Sequence, residues 1–251
     1  MSAWLAGKVL ENQAWTGTLF SLRVVLGTSC PRLSFAAGQF VRIALDIEGE
    51  RVARPFSFVN APADPVMEFY GVIVPQGPLS PHLARLKAGD PLYLADNPSG
   101  FLVLAEVPPA EDLWLLATGT GIAPFLSILR TGEAWTRYRR VILVHCTRHA
   151  NELVYQDLIE TIADAHGSRF VFLKFTTREK MRDALQGRIP EAIGDGRLEA
   201  AAGAQISPER SQFMLCGNPD MLKDAAEALA ARGLRKNRRR TPGHITVESF
   251  W

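Results

Sequence analysis

The chain has 251 residues, of which 47% are hydrophobic and 22% are charged. This length is enough for one large domain or for two modest domains with separate cores, and the composition is that of an ordinary globular protein. A formal net charge of +2 excludes a strong overall attraction to nucleic acid or to another polyanion, so any basic surface must be local.

Short segments of alternating hydrophobic and polar residues fill positions 8–101 and predict β-strands separated by glycine and proline turns. The predicted strands span 19–25, 40–45, 56–59, 67–74 and 91–95. One predicted helix interrupts them, because Ser80 and Pro81 start a segment in which Leu83 and Leu86 fall on one face. Together these elements predict a small antiparallel β-barrel.

From residue 110 onward, buried strands alternate with helices. The predicted strands span 113–117, 141–145, 170–175 and 213–215, with a last strand in 244–251. The predicted helices span 124–129, 152–163, 190–193 and 221–231. This alternation predicts a parallel sheet with helices on both faces. Because Pro108 and Pro109 form the best candidate linker, we predict two domains, 1–106 and 110–251.

The three cysteines, Cys30, Cys146 and Cys216, form no C-x-x-C pair and show no spacing typical of metal ligands. We therefore expect neither a disulfide scaffold nor a cysteine-ligated iron–sulfur cluster, and we predict no bound metal. Residues 1–9 lack a basic segment followed by an apolar run, and no stretch approaches about 18 uninterrupted apolar residues. The expectation is a cytoplasmic enzyme without a membrane span.

Residues 119–124 lie where a predicted strand meets a predicted helix, and they contain Gly119, Gly121 and Pro124. Glycines at such a place let backbone N–H groups approach a pyrophosphate, and the positive end of the helix favours its negative charge. The third glycine of the usual dinucleotide fingerprint is absent. Taken alone, the segment fits an ordinary strand-to-helix turn equally well.

Arg54, Pro55, Phe56 and Ser57 carry a cation, an aromatic ring and a hydroxyl along one predicted strand. The ring of Phe56 is suited to stacking on a planar cofactor, and the guanidinium of Arg54 is suited to clamping a pyrophosphate. The alternative interpretation is a core phenylalanine beside a solvated arginine.

Five short segments follow one another in a fixed order, namely 38–40, 54–57, 78–80, 117–124 and 216–219. This ordered set resembles the ferredoxin–NADP reductase family, and most closely its bacterial ferredoxin/flavodoxin reductases. The resemblance covers residues 38–251. It implies a two-domain β plus α/β fold, in which an N-terminal antiparallel β-barrel binds FAD and a following Rossmann-like parallel α/β sheet binds NADP.

Within the barrel, the resemblance implies that Arg54 binds the FAD pyrophosphate, Phe56 lies against the isoalloxazine, and Ser57 lies near flavin N5. Phe56 stands where relatives usually have tyrosine, which keeps a stacking surface but removes a hydroxyl. The other implied FAD contacts are Pro55, Tyr70, Gly71, Val72, Leu79, Ser80 and Thr120.

The last predicted strand ends in two aromatic residues, Phe250 and Trp251. The resemblance implies that the tail 244–251 folds back on FAD. Phe250 would then stack on the flavin face used by nicotinamide, and Trp251 would reach the adenine half. The alternative is simple core packing of the last strand.

In the second domain, charge favours NADP over NAD, because a 2′-phosphate needs cations where an NAD site uses a carboxylate. The resemblance places Arg178 and Arg188 on the 2′-phosphate, Arg148 in the same site, and Cys216 beside the nicotinamide C4. The other implied NADP contacts are Thr118, Gly119, Gly121, Thr177, Gly217, Asn218 and Asp220. Without the resemblance, each arginine reads as a solvated surface residue, with Glu179 as a partner for Arg178, and Cys216 reads as a buried core residue.

The implied activity is FAD-dependent electron exchange between NADP(H), by hydride transfer to flavin N5, and a one-electron carrier protein, ferredoxin or flavodoxin. Ser57, Cys216 and Phe250 would lie at the reacting centre. Two other functions stay open. One is an NAD(P)H-dependent reductase of a free flavin, a quinone or an oxygenase component, and the other is a nucleotide-binding sensor without turnover.

Residues 235–240 include five cations and predict a local basic patch that would steer an acidic carrier protein. A solvated positive face at the end of the preceding helix explains the same run equally well. Nucleic acid is not an expected partner, because neither interleaved aromatics nor a recognition fold accompanies the patch. The expected oligomeric state is a monomer.

Overall fold

The computed structural model describes residues 3–28 and 30–249. The first half forms one six-stranded antiparallel sheet, with strands β1 (Trp4–Ala14), β2 (Leu19–Leu26), β3 (Phe40–Ile47), β4 (Glu50–Ser57), β5 (Met67–Val72) and β6 (Pro91–Ala95). Its spatial order is β4-β3-β6-β1-β2-β5. A short helix, α1 (Ser80–Leu83), lies between β5 and β6.

The sheet curls into a barrel because its two outer strands meet. Beyond the end of β4, Phe58 forms an antiparallel bridge with Phe69 of β5. The N–H of Val59 donates to the carbonyl oxygen of Glu68 at 2.8 Å. Side chains that alternate inward along the strands, such as those of Leu22 and Val24, are fully buried. The predicted antiparallel barrel is therefore confirmed.

Two predictions for this half were wrong in detail. The strand predicted at 56–59 runs instead from Glu50 to Ser57, because Glu48 and Gly49 have φ values of 52° and 85° and form a two-residue hairpin turn. The strand β1 was not predicted at all. In β1 the alternation is broken by Gly7, which is buried but has no side chain, and by Leu10, which is exposed. In β4 it is broken by Pro55, a residue that counts against a strand.

The second half forms a six-stranded parallel sheet, with strands β7 (Asp112–Thr118), β8 (Arg140–Thr147), β9 (Phe170–Thr176), β10 (Leu185–Gln186), β11 (Ser211–Cys216) and β12 (Ile245–Glu248). Its order is β10-β9-β8-β7-β11-β12. The helices are α2 (Ala123–Leu129), α3 (Glu133–Arg137), α4 (Gln156–His166), α5 (Ile189–Gly194), α6 (Arg197–Ala202) and α7 (Pro219–Ala230). The predicted parallel α/β architecture is confirmed.

Three helices differ from the prediction. The helix expected from residue 152 begins at Gln156, because residues 150–152 form a separate 3-10 turn. The helices α3 and α6 were not predicted. Both are short, so they present little periodicity.

The helices cover both faces of the parallel sheet because residues of β7 alternate between two cores. Leu113 and Leu115 pack in a cluster with α2, α3 and α4, whereas Trp114 and Leu116 pack in a second cluster with α5, α6 and α7. The first cluster also includes Leu19, Val59 and Tyr70 from the barrel side. The barrel and the parallel sheet therefore share a hydrophobic core.

Polar contacts also fix α2 to the barrel. The hydroxyl of Ser127 donates to the carbonyl oxygen of Asn60 at 2.7 Å, and Arg130 forms a salt bridge with Asp64 at 2.8 Å. The helix that follows residues 119–122 is thus held against the loop between β4 and β5. The domain limits 1–106 and 110–251 stay a prediction.

Candidate functional site

A cleft of about 900 Å³ lies between the barrel and the carboxyl ends of the parallel strands. Leu19, Val72 and Pro75 line it from the barrel side. In parallel α/β sheets this edge is where nucleotides usually bind. The lining includes the following predicted NADP residues: Thr118, Gly119, Gly121, Arg148, Thr177, Arg178, Arg188, Gly217, Asn218 and Asp220. Thr120 and Val72, predicted for FAD, line the same cleft.

The turn after β7 and the turn after β11 touch in a way that only glycine permits. A Cβ atom added at Gly121 would lie 2.4 Å from the carbonyl oxygen of Cys216. A Cβ atom at Gly217, where φ is +135°, would lie 2.1 Å from Oγ1 of Thr118. At Gly119, by contrast, a Cβ atom would meet no atom of the described residues within 4 Å. The glycines therefore bring two strand ends together and leave open space beside residue 119.

Asn218 organises the start of α7 at the same edge. Its N–H donates to Oγ1 of Thr118 at 2.8 Å. Its side-chain Oδ1 accepts from the N–H groups of Asp220 at 2.9 Å and Met221 at 3.2 Å, as an N-cap residue does. The three predicted residues Thr118, Gly217 and Asn218 thus form one connected turn.

The three predicted arginines lie around the cleft and are exposed. Pairing of β8 with β9 continues past the strands, because the N–H of Arg178 donates to the carbonyl oxygen of Arg148 at 3.0 Å. Arg188 also lines the cleft, one residue before α5, and the N–H of the preceding Gly187 donates to the carbonyl oxygen of Thr176 at 3.1 Å. Within 3–28 and 30–249, no salt bridge engages the guanidinium groups of these three residues. Glu179, the alternative partner of Arg178, lies 3.4 Å from Nδ1 of His149.

Two carboxylates beside these arginines bind backbone rather than guanidinium. Oε2 of Glu152 accepts from the N–H of Arg148 at 2.8 Å, and Oε2 of Glu191 accepts from the N–H of Arg188 at 3.2 Å. Each carboxylate therefore fixes the turn that carries an arginine.

His145, a residue that the sequence analysis missed, lies behind the glycine turn. It is fully buried at the end of β8, and its Nε2 lies 3.0 Å from the carbonyl oxygen of Gly119. Burial lowers the pKa of its imidazole to about 4. A polar residue that closes an otherwise apolar strand was the available signal.

On the barrel side, the predicted FAD residues occupy the end of β4. Arg54 is exposed, Pro55 and Phe56 are half-buried, and Ser57 is buried. The ring of Phe56 would lie 3.0 Å from a Cβ atom added at Gly71. A larger residue at position 71 would therefore displace the ring, so the two predicted residues fit each other.

The remaining predicted FAD residues surround the start of α1 and the middle of β5. Leu79 is buried just before α1, and Oγ of Ser80 accepts from the N–H of Val74 at 2.9 Å. The ring of Tyr70 packs edge-on against Tyr155 at 5.4 Å, and burial raises the pKa of its hydroxyl. Tyr70 thus faces the parallel sheet and joins the shared core.

Cys216 lies at the end of β11 with its side chain fully buried, so the cleft touches its backbone surroundings rather than an open thiol. In the neighbouring strand, Glu248 lies opposite Cys216. Oε1 of Glu248 accepts from the N–H of Phe101 at 2.9 Å, and burial raises the pKa of its carboxyl to about 7. Glu248 was not predicted. Its signal in the sequence was one acidic residue in an apolar last strand.

Phe250 and Trp251 lie outside the described residues, so their predicted roles stay predictions. Within the described part of the chain, no three His, Cys, Asp or Glu side chains are grouped as metal ligands. A search of the same residues finds no helix with both the length and the apolar character needed to cross a membrane.

Comparisons with known proteins agree with this geometry. Residues 115–227 match the family model described as an oxidoreductase NAD-binding domain. The whole chain is 45% identical to the full length of a flavodoxin/ferredoxin–NADP reductase of Shigella flexneri. The protein belongs to the ferredoxin–NADP reductase family. A ferredoxin–NADP reductase of Pseudomonas aeruginosa is 35% identical over 99% of this chain and 98% of its own length.

Solved structures place this family member in the same fold. A ferredoxin NADP+ reductase from Neisseria gonorrhoeae, solved with bound FAD and NADP, matches it with a TM-score of 0.93. The identity is 32%, and all of both chains is covered. The resemblance inferred from the ordered motifs is therefore confirmed, as is the class of oxidoreductase. The roles of individual site residues stay predictions.

Proposed function

We propose that this chain is an FAD-dependent enzyme that exchanges electrons between NADP(H) and a one-electron carrier protein, ferredoxin or flavodoxin. The observation that carries the proposal is the single cleft that brings the glycine turn and the three arginines opposite the barrel. The redox chemistry is that of a bound flavin, which can exchange hydride with NADP(H) and single electrons with a carrier.

The sheet side of the cleft fits NADP in size and in charge. Its volume of about 900 Å³ lies at the upper end of small-molecule sites. The open space at Gly119 suits a pyrophosphate close to backbone, and Arg148, Arg178 and Arg188 suit the 2′-phosphate. The Neisseria relative holds NADP in its own structure. These features support NADP over NAD.

The barrel side supplies the groups that an FAD site needs. The half-buried ring of Phe56 offers a stacking surface, and Ser57 offers a buried hydroxyl one residue away. The exposed guanidinium of Arg54 is available to hold the pyrophosphate, and the hydroxyl of Ser80 lies where α1 begins. The Neisseria relative also holds FAD.

Glu248 and Cys216, at the end of the parallel sheet, differ in how readily they lose a proton. With its pKa raised to about 7, the Glu248 carboxyl can hold or release a proton near neutral pH. Burial and the nearby carboxyl raise the pKa of the Cys216 thiol, so the thiol stays protonated. We therefore assign Cys216 a packing and positioning role beside the nicotinamide and not that of a thiolate.

The test is the visible spectrum of the purified protein, before and after addition of NADPH or NADH. We expect a yellow protein, or one that turns yellow on reconstitution with FAD. It should bleach with NADPH far more readily than with NADH, and electrons should then pass to added flavodoxin or ferredoxin. A protein that binds no FAD contradicts the proposal. Reduction without transfer to either carrier points instead to a reductase of another acceptor.

We also propose that the basic run 235–240 forms the docking face for the acidic carrier. The guanidinium of Arg239 lies over the ring of Phe101, at 5.6 Å from its centroid. Phe101 in turn donates its N–H to Glu248. The basic run therefore adjoins the end of the sheet where Glu248 and Cys216 lie, so a carrier bound there would be close to the site.

The measurement for this face is the salt dependence of carrier reduction. Arg238→Glu with Arg240→Glu should raise the KM for flavodoxin at low salt, because the local charge changes sign. Reduction of ferricyanide by NADPH should not change. An unchanged KM for both carriers contradicts this docking face. The monomeric state and the cytoplasmic location stay predictions.

A further inference from the structure

A buried histidine holds the glycine turn from behind. Nε2 of His145 lies 3.0 Å from the carbonyl oxygen of Gly119, and the His145 side chain is fully buried. Gly119 itself has φ of +52°, and no atom of residues 3–28 or 30–249 lies within 4 Å of the position where its Cβ would be. Side-chain packing therefore does not fix the backbone conformation of Gly119. The hydrogen bond between His145 and the Gly119 carbonyl oxygen does.

The tautomer of His145 follows from its partner. A carbonyl oxygen only accepts hydrogen bonds, so Nε2 must carry the proton that is donated. Burial lowers the pKa of the imidazole to about 4, so the ring is neutral and Nδ1 carries no proton. Nδ1 finds no hydrogen-bond partner among residues 3–28 and 30–249. Donation to Gly119 is thus the polar contact that accounts for a histidine at this position.

The orientation of the next amide follows from the same contact. In a trans peptide the carbonyl oxygen and the following N–H point in opposite directions. Because the carbonyl oxygen of Gly119 points inward to His145, the N–H of Thr120 points outward, and Thr120 lines the cleft. Residues 119–122 open a helical stretch that continues into α2, where the first amides have no partner within the helix.

We propose that His145 is a positioning residue of the NADP site: it holds the Gly119 carbonyl oxygen inside the sheet and so presents the Thr120 amide to the pyrophosphate. This inference rests on the proposed binding of NADP. It deepens that proposal by naming a residue that touches neither nucleotide. Glycine at position 119 permits either orientation of the peptide between Gly119 and Thr120. Without His145, nothing would favour the orientation that turns the Thr120 N–H toward the cleft.

The substitutions at His145 are chosen to keep or remove the N–H donor at the position of Nε2. Glutamine places an N–H donor near the position of Nε2 but has no ring, whereas asparagine is too short to reach Gly119. Leucine fills much of the volume and donates nothing. The set His145→Gln, His145→Asn and His145→Leu therefore separates the hydrogen bond from packing. Each variant is first checked for FAD absorbance and for the midpoint of thermal unfolding.

Binding is measured by titration calorimetry with two probes, NADP+ and 2′-AMP. 2′-AMP carries the 2′-phosphate but no pyrophosphate, so it reports on the arginines alone. We expect NADP+ to bind about three- to tenfold more weakly to His145→Leu and His145→Asn, the effect of one hydrogen bond. His145→Gln should bind NADP+ within about twofold of the unchanged protein. All variants should bind 2′-AMP equally.

Three results would overturn the inference. NADP+ binding to His145→Leu and His145→Asn at the affinity of the unchanged protein would remove the positioning role. Equal losses for NADP+ and 2′-AMP would show a general disturbance of the sheet edge. A loss in His145→Gln as large as that in His145→Leu would exclude the hydrogen bond as the cause. Failure of the unchanged protein to bind either probe would instead overturn the proposed function.

A second measurement does not depend on any variant. The ¹⁵N chemical shifts of a histidine ring distinguish the Nε2–H tautomer, the Nδ1–H tautomer and the charged form. His145 of the FAD-bound protein should show the Nε2–H tautomer from pH 5.5 to pH 8, since its pKa is lowered to about 4. An Nδ1–H tautomer or a charged ring in this range would overturn the inference.

Discussion

Glu248 of β12 lies directly opposite Cys216 of β11, and both side chains are buried. Burial raises the pKa of the carboxyl to about 7, and the thiol has a pKa well above its ordinary value. A carboxyl that titrates near neutral pH therefore lies beside a thiol that does not.

The first prediction concerns stability against pH. The folded protein binds the Glu248 proton more tightly than the unfolded chain, in which the carboxyl has its ordinary pKa of 4.5. The free energy of unfolding should therefore fall as the pH rises from 4.5 through 7, and this contribution amounts to at most about 3 kcal/mol. Glu248→Gln removes it. Urea unfolding is measured with excess FAD at pH 5 and at pH 8. Relative to the unchanged protein, the variant should have a higher free energy of unfolding at pH 8 than at pH 5. An equal difference at both pH values would contradict the assignment.

The second prediction concerns the choice between NADPH and NADH. Arg178→Ala combined with Arg188→Ala should weaken NADPH binding about a hundredfold, because two charge-assisted hydrogen bonds are lost. NADH lacks the 2′-phosphate, so its binding should change by less than about threefold. Equal losses for both nucleotides would remove the assignment. Arg23→Ala is the matched control, since Arg23 pairs with Glu11 in the barrel.

The third prediction concerns the contact between the two strand ends. Gly217→Ala should lower the free energy of unfolding by about 3 kcal/mol, because the new Cβ atom would meet Thr118 and φ is +135°. Gly49→Ala is the control. Its φ is +85°, but within the described part of the chain no atom lies within 4 Å of the added Cβ, so only the backbone strain of about 1 kcal/mol applies. Equal costs would show that the close approach to Thr118 does not matter.

The fourth prediction concerns Cys216. Cys216→Ala should slow hydride transfer at saturating NADPH about tenfold while FAD stays bound, because a cavity behind Gly217 would loosen the turn that lines the proposed nicotinamide end of the cleft. Cys30→Ala removes a half-buried thiol that does not line the cleft and should leave that limiting rate unchanged. Stopped-flow reduction of the flavin gives both rates. A normal rate for Cys216→Ala would reduce Cys216 to a core residue.

The features predicted from sequence were those with a local cause. Strands such as β7 and β11 are continuous apolar runs, and Gly119 marks a strand-to-helix turn, so periodicity and turn chemistry sufficed to place them. The ordered motifs then brought distant segments to one cleft. Arg148, Arg178 and Arg188 do line it together.

The features that were missed have causes that lie far away in the chain. Nothing near His145 in sequence shows that it contacts Gly119, and nothing near Glu248 shows that Phe101 donates to it. The strand β4 was displaced in the prediction because Pro55 interrupts its alternation. Such contacts exist only after the sheets have formed, so local patterns cannot report them.

The hydrophobic cluster that Leu19, Val59 and Tyr70 share with α2 makes the two halves dependent on each other during folding. Severing the chain at Pro108 would leave each fragment with an apolar surface facing water. It would also separate Ser127 from the carbonyl oxygen of Asn60 and Arg130 from Asp64. The two nucleotide sites should accordingly melt in one cooperative transition, so heat would release the flavin and abolish nicotinamide binding at the same temperature.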